Sequence, residues 1–156
     1  MSWRERTCLI AAWILLALAR AAIAVLPFAV VRRWLGEHAR SHAPPRDIDH
    51  HTVLRARRIG AMLSVAARHT PWRSDCYPRA LAARALLVAA GMPHTVWFGL
   101  RRDQTAALRA HAWVTVDGVV VAGGDVRDYT AVRSFTWVPR SHRTKADRWR
   151  STTATD

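Results

Sequence analysis

Cys76 and His111 are the two residues of this chain whose types and settings together suggest a reaction. Cys76 stands in Ser74-Asp75-Cys76-Tyr77-Pro78-Arg79-Ala80-Leu81, ahead of an Ala/Leu/Arg run that reaches Ala90. Ser74 or Asp75 suits a helix cap, Pro78 suits a first turn, and Gly91 with Pro93 stops the Ala/Leu/Arg run. The cysteine is therefore expected at or just before a helix N-terminus. Unpaired amides and the positive end of the dipole favour a thiolate there, the form that attacks a carbonyl. Alone, such a cysteine is equally well a small apolar filler of a core.

His111 changes that balance. It lies in Ala110-His111-Ala112-Trp113-Val114-Thr115-Val116-Asp117-Gly118-Val119-Val120-Val121, where Asp117-Gly118 between β-branched runs signals a hairpin. On the first strand Ala110, Ala112, Val114 and Val116 share one face, and His111 points the other way with Trp113 and Thr115. A strand histidine beside a helix-start cysteine is what a thiol nucleophile and its base require. Sequence position does not show that they touch, and a single strand histidine is more often structural.

The order of Cys-bearing helix, strand, His-Ala-Trp-Val strand and hairpin resembles the transglutaminase-like cysteine peptidases, a branch of the papain-like fold. Within that branch, Cys76-Tyr77-Pro78-Arg79-Ala80-Leu81 and Ala110-His111-Ala112-Trp113-Val114 with Val116-Asp117-Gly118 resemble the stand-alone leader peptidases, or B proteins, of lasso peptide biosynthesis. The likeness runs from the apolar N-terminal segment to about Tyr129. It implies an α+β fold in which N-terminal helices pack on a small papain/transglutaminase-like core, with the Cys-bearing helix against an antiparallel sheet. It also implies acyl transfer through Cys76, with His111 as base and a carboxylate orienting the imidazole.

The family pattern puts that acid twelve residues past the histidine, where this chain has Gly123. Asp125 is the nearest acid and is preferred. Asp117 suits the turn itself, Asp128 lies beyond, and a Cys/His dyad without an acid is the remaining form. The oxyanion hole would combine the Cys76 amide with Trp72, Arg73 or Ser74. Trp113 either shields the pair from water or is core, and Arg79 matches a family position but equally suits a solvated helix face.

In chain order, 156 residues suit one domain or a helical subdomain on a catalytic core. The expected parts are helices over 1–70, a catalytic core over 71–139, and a basic, disordered tail over 140–156. Arg4 and Arg6 precede the apolar run Cys8 to Ala19, which is shorter than the roughly 20 residues a bilayer needs. The apolar pattern continues through Arg20 to Val25 and Leu26, then Pro27, so a buried or interfacial helix is preferred to a cleaved signal, with weak membrane contact the minor alternative. A short helix is expected over 28–35, a Pro-rich linker at Ala43-Pro44-Pro45, and a helix from about Ile48 to Arg68 with an apolar stripe of Ala56, Ile59, Met62, Leu63 and Ala66. Arg55 falls within that stripe by spacing. Further strands are expected from Thr95 to Leu100 and from Val132 to Val138.

Several classes are set aside by what the chain carries. His38, His42, His50 and His51 match no zinc spacing, so no metal is expected, and no phosphate-binding glycine loop is legible, so no cofactor is expected. Cys8 and Cys76 make no disulfide framework, which fits a reducing cytoplasm. The net charge of +13 is almost wholly arginine; Arg/Ala richness also fits GC-rich coding, which weakens the argument from charge to nucleic acid, and no nucleic-acid partner is expected. The resemblance implies three partners: a precursor peptide, a separate small leader-recognition protein and an ATP-dependent macrolactam cyclase. The rival readings are a basic adaptor or nucleic-acid-binding module without catalysis, and an acyltransferase using the same Cys/His pair.

Overall fold

The structure is a computed structural model that describes residues 3–26, 30, 37–38, 49–71 and 76–139. Most of the short helix expected over 28–35, the linker at 43–45, His42, the caps Ser74 and Asp75, the donors Trp72, Arg73 and Ser74, and the tail 140–156 lie outside the described residues. The elements in order are α1 (Trp3–Val25), β1 (Glu37–His38), α2 (His50–Arg68), α3 (Cys76–Ala89), β2 (His94–Arg102), β3 (Leu108–Val116), β4 (Val119–Ala122) and β5 (Thr130–Trp137). All the strand pairings are antiparallel, in the order β1-β5-β2-β3-β4. The expected α+β fold is the one observed.

Local chemistry explains the boundaries. Asp117 and Gly118 both have positive φ, 51° and 74°, as the tight turn between β3 and β4 requires. Gly91, at φ 66°, closes α3: its amide donates to Val88 O and that of Met92 to Leu87 O, the paired bonds of a Schellman end.

One face of the sheet is covered by helices. Val96, Val114 and Phe135 are register partners on that face and join one buried cluster with Leu63 of α2 and Ala80, Ala83 and Leu87 of α3. α2 packs on β4, α3 on β3 and β2, and α1 on α2 and α3, adding Ala12 and Leu16 to the same cluster. α1 and α2 therefore share a single core with α3 and the sheet. α2 buries Val53, Ala56, Gly60, Leu63 and Ala66, and leaves Arg55 exposed. Gly60 sits in the stripe for a steric reason: a Cβ there would lie 1.7 Å from Val121 O, so only glycine lets α2 approach β4 this closely.

α1 runs on past Ala19 to Val25, as the continued apolar pattern predicts; what changes is its reach, because the 20-residue window Arg6–Val25 is long and apolar enough to cross a membrane by length and composition. Only one side of it is buried, by Ala12, Leu16 and Ala19.

Between α3 and β2 lies a buried polar contact. His94, 3% exposed, donates from Nδ1 to Met92 O at 2.8 Å, and its Nε2 accepts from the Arg84 guanidinium at 3.1 Å. Its ring stacks on Trp137. Both contacts suit a neutral ring, and burial lowers its pKa from 6.5 to about 4. The unfolded chain then binds a proton that the folded chain refuses, so this contribution is complete above pH 6.5 and is lost as pH falls toward 4. At 1.36 kcal/mol per pKa unit the loss is about 3 kcal/mol. Thermal unfolding between pH 7 and 4.5 should show a falling Tm for wild type and a flatter profile for His94→Gln; parallel profiles would assign the acid sensitivity elsewhere.

Candidate active site

Cys76 is the first residue of α3, half-buried against the edge of the core cluster. The first amides of a helix have no intrahelical partner, so this turn offers donors to an approaching carbonyl oxygen. Cys8, the second free thiol, is exposed on α1. Tyr77 follows Cys76 and sets its ring edge-on to Phe98, 5.5 Å between centroids. Phe98 pairs with Ala112, the chain neighbour of His111. The Cys76 turn and His111 therefore lie at the same level of the sheet.

Strand alternation places Ala112 and Val114 under α3, while His111 lies on the other face with Trp113, as the sequence predicts. Among the described residues no hydrogen bond joins the Cys76 thiol to the His111 ring.

The surroundings of His111 are well defined. Its Nε2 lies 2.7 Å from Gly123 O. A carbonyl only accepts, so Nε2 carries the hydrogen, and in the neutral ring Nδ1 then keeps the lone pair a general base needs. The half-buried ring leans on Tyr129, 4.7 Å between centroids, and stacks with Trp113 at 6.1 Å. Arg101 lies over the far ring, 5.0 Å from the Tyr129 centroid, and pairs with Asp128 at 3.8 Å.

Trp113 holds this assembly. It is 6% exposed and stacks on Trp97, whose indole N–H donates to Thr115 Oγ1 at 2.8 Å. A Cβ on Gly99 would come within 2.7 Å of the Trp113 ring, and one on Gly123 within 2.3 Å of its Cβ. Trp113 is core, and it also walls one side of the imidazole. Gly123 further sits at φ 118°, a conformation closed to other residues. An acid at this position is therefore excluded by both backbone and space, and the main-chain carbonyl contacts the imidazole in its place.

Asp125, the acid expected to orient the imidazole, is placed elsewhere. Its exposed carboxylate is held by the Arg127 side chain and main-chain amide, with Arg127 Nε at 3.0 Å, and those bonds lower its pKa to about 2. Asp117 stays in the turn and Asp128 faces Arg101. Among the described residues no carboxylate hydrogen-bonds His111. Arg79 reaches across from α3 to Ser64 Oγ of α2 at 3.1 Å, which makes it a brace between the helices rather than a free surface charge. His50 and His51 are exposed at the start of α2, and no metal-holding group of His, Cys, Asp or Glu occurs among the described residues.

The residues missed by sequence reading are Gly99, Gly123 and Tyr129. A glycine inside a strand run, as in Trp97-Phe98-Gly99-Leu100, and the doublet Gly123-Gly124 were signals of close backbone approach. Tyr129 gave none, because its contact with His111 spans a loop. If the carbonyl rather than the carboxylate orients the base, Asp125→Asn should keep turnover within about twofold of wild type. Gly123→Ala should lose at least tenfold and about 1–3 kcal/mol of stability. Turnover and urea unfolding on both variants check this, and loss of activity in Asp125→Asn would return the acid to the mechanism.

A family model described as transglutaminase-like superfamily matches residues 22–134. No curated protein and no solved structure matches. The matched region runs from the end of α1 through Cys76, His111 and Gly123 into β5, well over half of the sequence, and on that ground the chain belongs to the transglutaminase-like superfamily.

Proposed function

We propose that this protein is a cysteine peptidase that removes the leader from a ribosomally synthesised lasso peptide precursor. The superfamily is generally one of cysteine-dependent enzymes, so peptidase or acyltransferase chemistry is the coarser reading. The observation that carries the finer one is the pair of motifs, Cys76-Tyr77-Pro78-Arg79-Ala80-Leu81 and Ala110-His111-Ala112-Trp113-Val114, in this order and on a helix start and a strand.

The proposed mechanism requires the Cys76 thiol and the His111 imidazole, which no hydrogen bond joins in this structure, to come within hydrogen-bond reach in the precursor complex. Nδ1 of His111 takes the thiol proton as sulfur bonds to the carbonyl carbon at the end of the leader. The oxyanion is met by the amide at the start of α3. The C–N bond then breaks, and the imidazolium protonates the departing amine of the core peptide. Water, activated by the same imidazole, hydrolyses the leader thioester and frees Cys76. The Gly123 carbonyl keeps the imidazole in the required tautomer.

The proposal includes the partners the family resemblance implies: a small leader-recognition protein that presents the precursor, an ATP-dependent cyclase that closes the macrolactam, and a cytoplasmic setting. An amine taking the acyl group in place of water would make the same site an acyltransferase. Mass spectrometry of a precursor encoded beside this gene, incubated with this protein and its neighbouring leader-binding protein, separates these outcomes. Wild type should release a free-acid leader, and Cys76→Ala and His111→Ala should lose at least a hundredfold. An amide-linked leader product would assign acyl transfer, and undiminished cleavage by Cys76→Ala would refute the thiol mechanism.

A further inference from the structure

α1 carries two apolar stripes and uses one. Ala12, Leu16 and Ala19 are buried against α2 and α3, whereas Ile10, Ile14 and Leu18 are 59%, 47% and 60% exposed and Val25 is 78% exposed. At helical spacing Ile10, Ile14, Leu18 and Val25 fall in line, on the side opposite the packed stripe. The Arg6–Val25 window has a mean hydropathy of 2.4, yet only 17% of it is buried. A helix this apolar in a soluble core is covered all round.

Two further features point to what covers it. The exposed stripe runs into an apolar cleft of about 740 Å³ between α1 and α3, walled by Leu15, Leu18, Val25, Leu81 and Val88. Arg6, Trp13 and Arg20 fall along one border of the stripe by spacing, and Trp3 stands 83% exposed near its start. An apolar face edged by arginine and tryptophan matches the boundary between headgroups and acyl chains. The charge selects the occupant. A second copy would bring another +13 against this one, whereas an anionic bilayer supplies both the apolar layer and the opposite charge.

We propose that α1 is a lipid-facing helix, lying in the headgroup region of an anionic bilayer with Ile10, Ile14, Leu18 and Val25 turned inward. It lies on the membrane rather than crossing it, because its other stripe is held by α2 and α3. The proposal is independent of the peptidase reading.

Cosedimentation of the full chain with vesicles tests it. Wild type should pellet with phosphatidylcholine vesicles containing phosphatidylglycerol, and bind at least about tenfold more weakly to phosphatidylcholine alone. Ile14→Asp with Leu18→Asp should weaken binding about tenfold or more while the circular dichroism spectrum is unchanged. Arg6→Gln with Arg20→Gln should weaken binding to the anionic vesicles by a similar factor without touching the apolar stripe. Wild type left in the supernatant, or an Ile14/Leu18 variant that binds like wild type, would overturn the proposal. So would a lipid-free dimer that the Ile14/Leu18 variant dissolves, since the covering partner would then be a second copy.

Discussion

Trp113 lies between Gly99 and Gly123, so close that a methyl group on Gly99 would collide with its indole and one on Gly123 with its Cβ and Cα. That packing locks β3 to β2 and pins the chain that leaves β4. It also fixes the Gly123 carbonyl 2.7 Å from His111 Nε2. The tautomer of the candidate base thus follows from a steric fit two residues away along the strand. A backbone carbonyl is a weaker partner for imidazolium than a carboxylate. In compensation it is held by covalent geometry and by the buried indole, and needs no side-chain entropy to stay in place.

The thiol is positioned by a separate set of contacts on the opposite face. Gly60 lets α2 close on β4, Arg79 ties α3 to Ser64, and Tyr77 rests on Phe98. These place the first turn of α3 at the level of His111, with no hydrogen bond between thiol and imidazole among the described residues. The proposed mechanism requires thiol and imidazole within hydrogen-bond reach of each other, and binding energy from the rest of a long precursor is a natural source for that step.

How legible this was in the sequence depends on the range of the interactions. The Cys76 helix, its Gly91 end and the Asp117-Gly118 turn depend on neighbours a few residues away, and all three read correctly. The face of β3 that carries His111 also read correctly, because strand alternation is local. The partner of His111 did not. Counting forward to an acid led to Asp125, whereas the decisive fact is a positive φ at Gly123 enforced by Trp113, a contact between strands. Arg55 falls in the stripe of α2 by spacing and keeps its head in water, whereas Gly60 was not read into the stripe, because the approach of β4 decides it. α1 was read as a helix, but composition does not say how many of its sides the protein covers.

The central claim is that Cys76 forms a covalent bond to the leader. Acid-quenched single turnovers of wild type with precursor and leader-binding protein, read by intact mass and then by peptide mapping, test it directly. A transient adduct equal to the leader minus one water, mapped to Cys76, is the predicted result. Leader release with no adduct at any quench time, or an adduct mapped to Cys8, would contradict it.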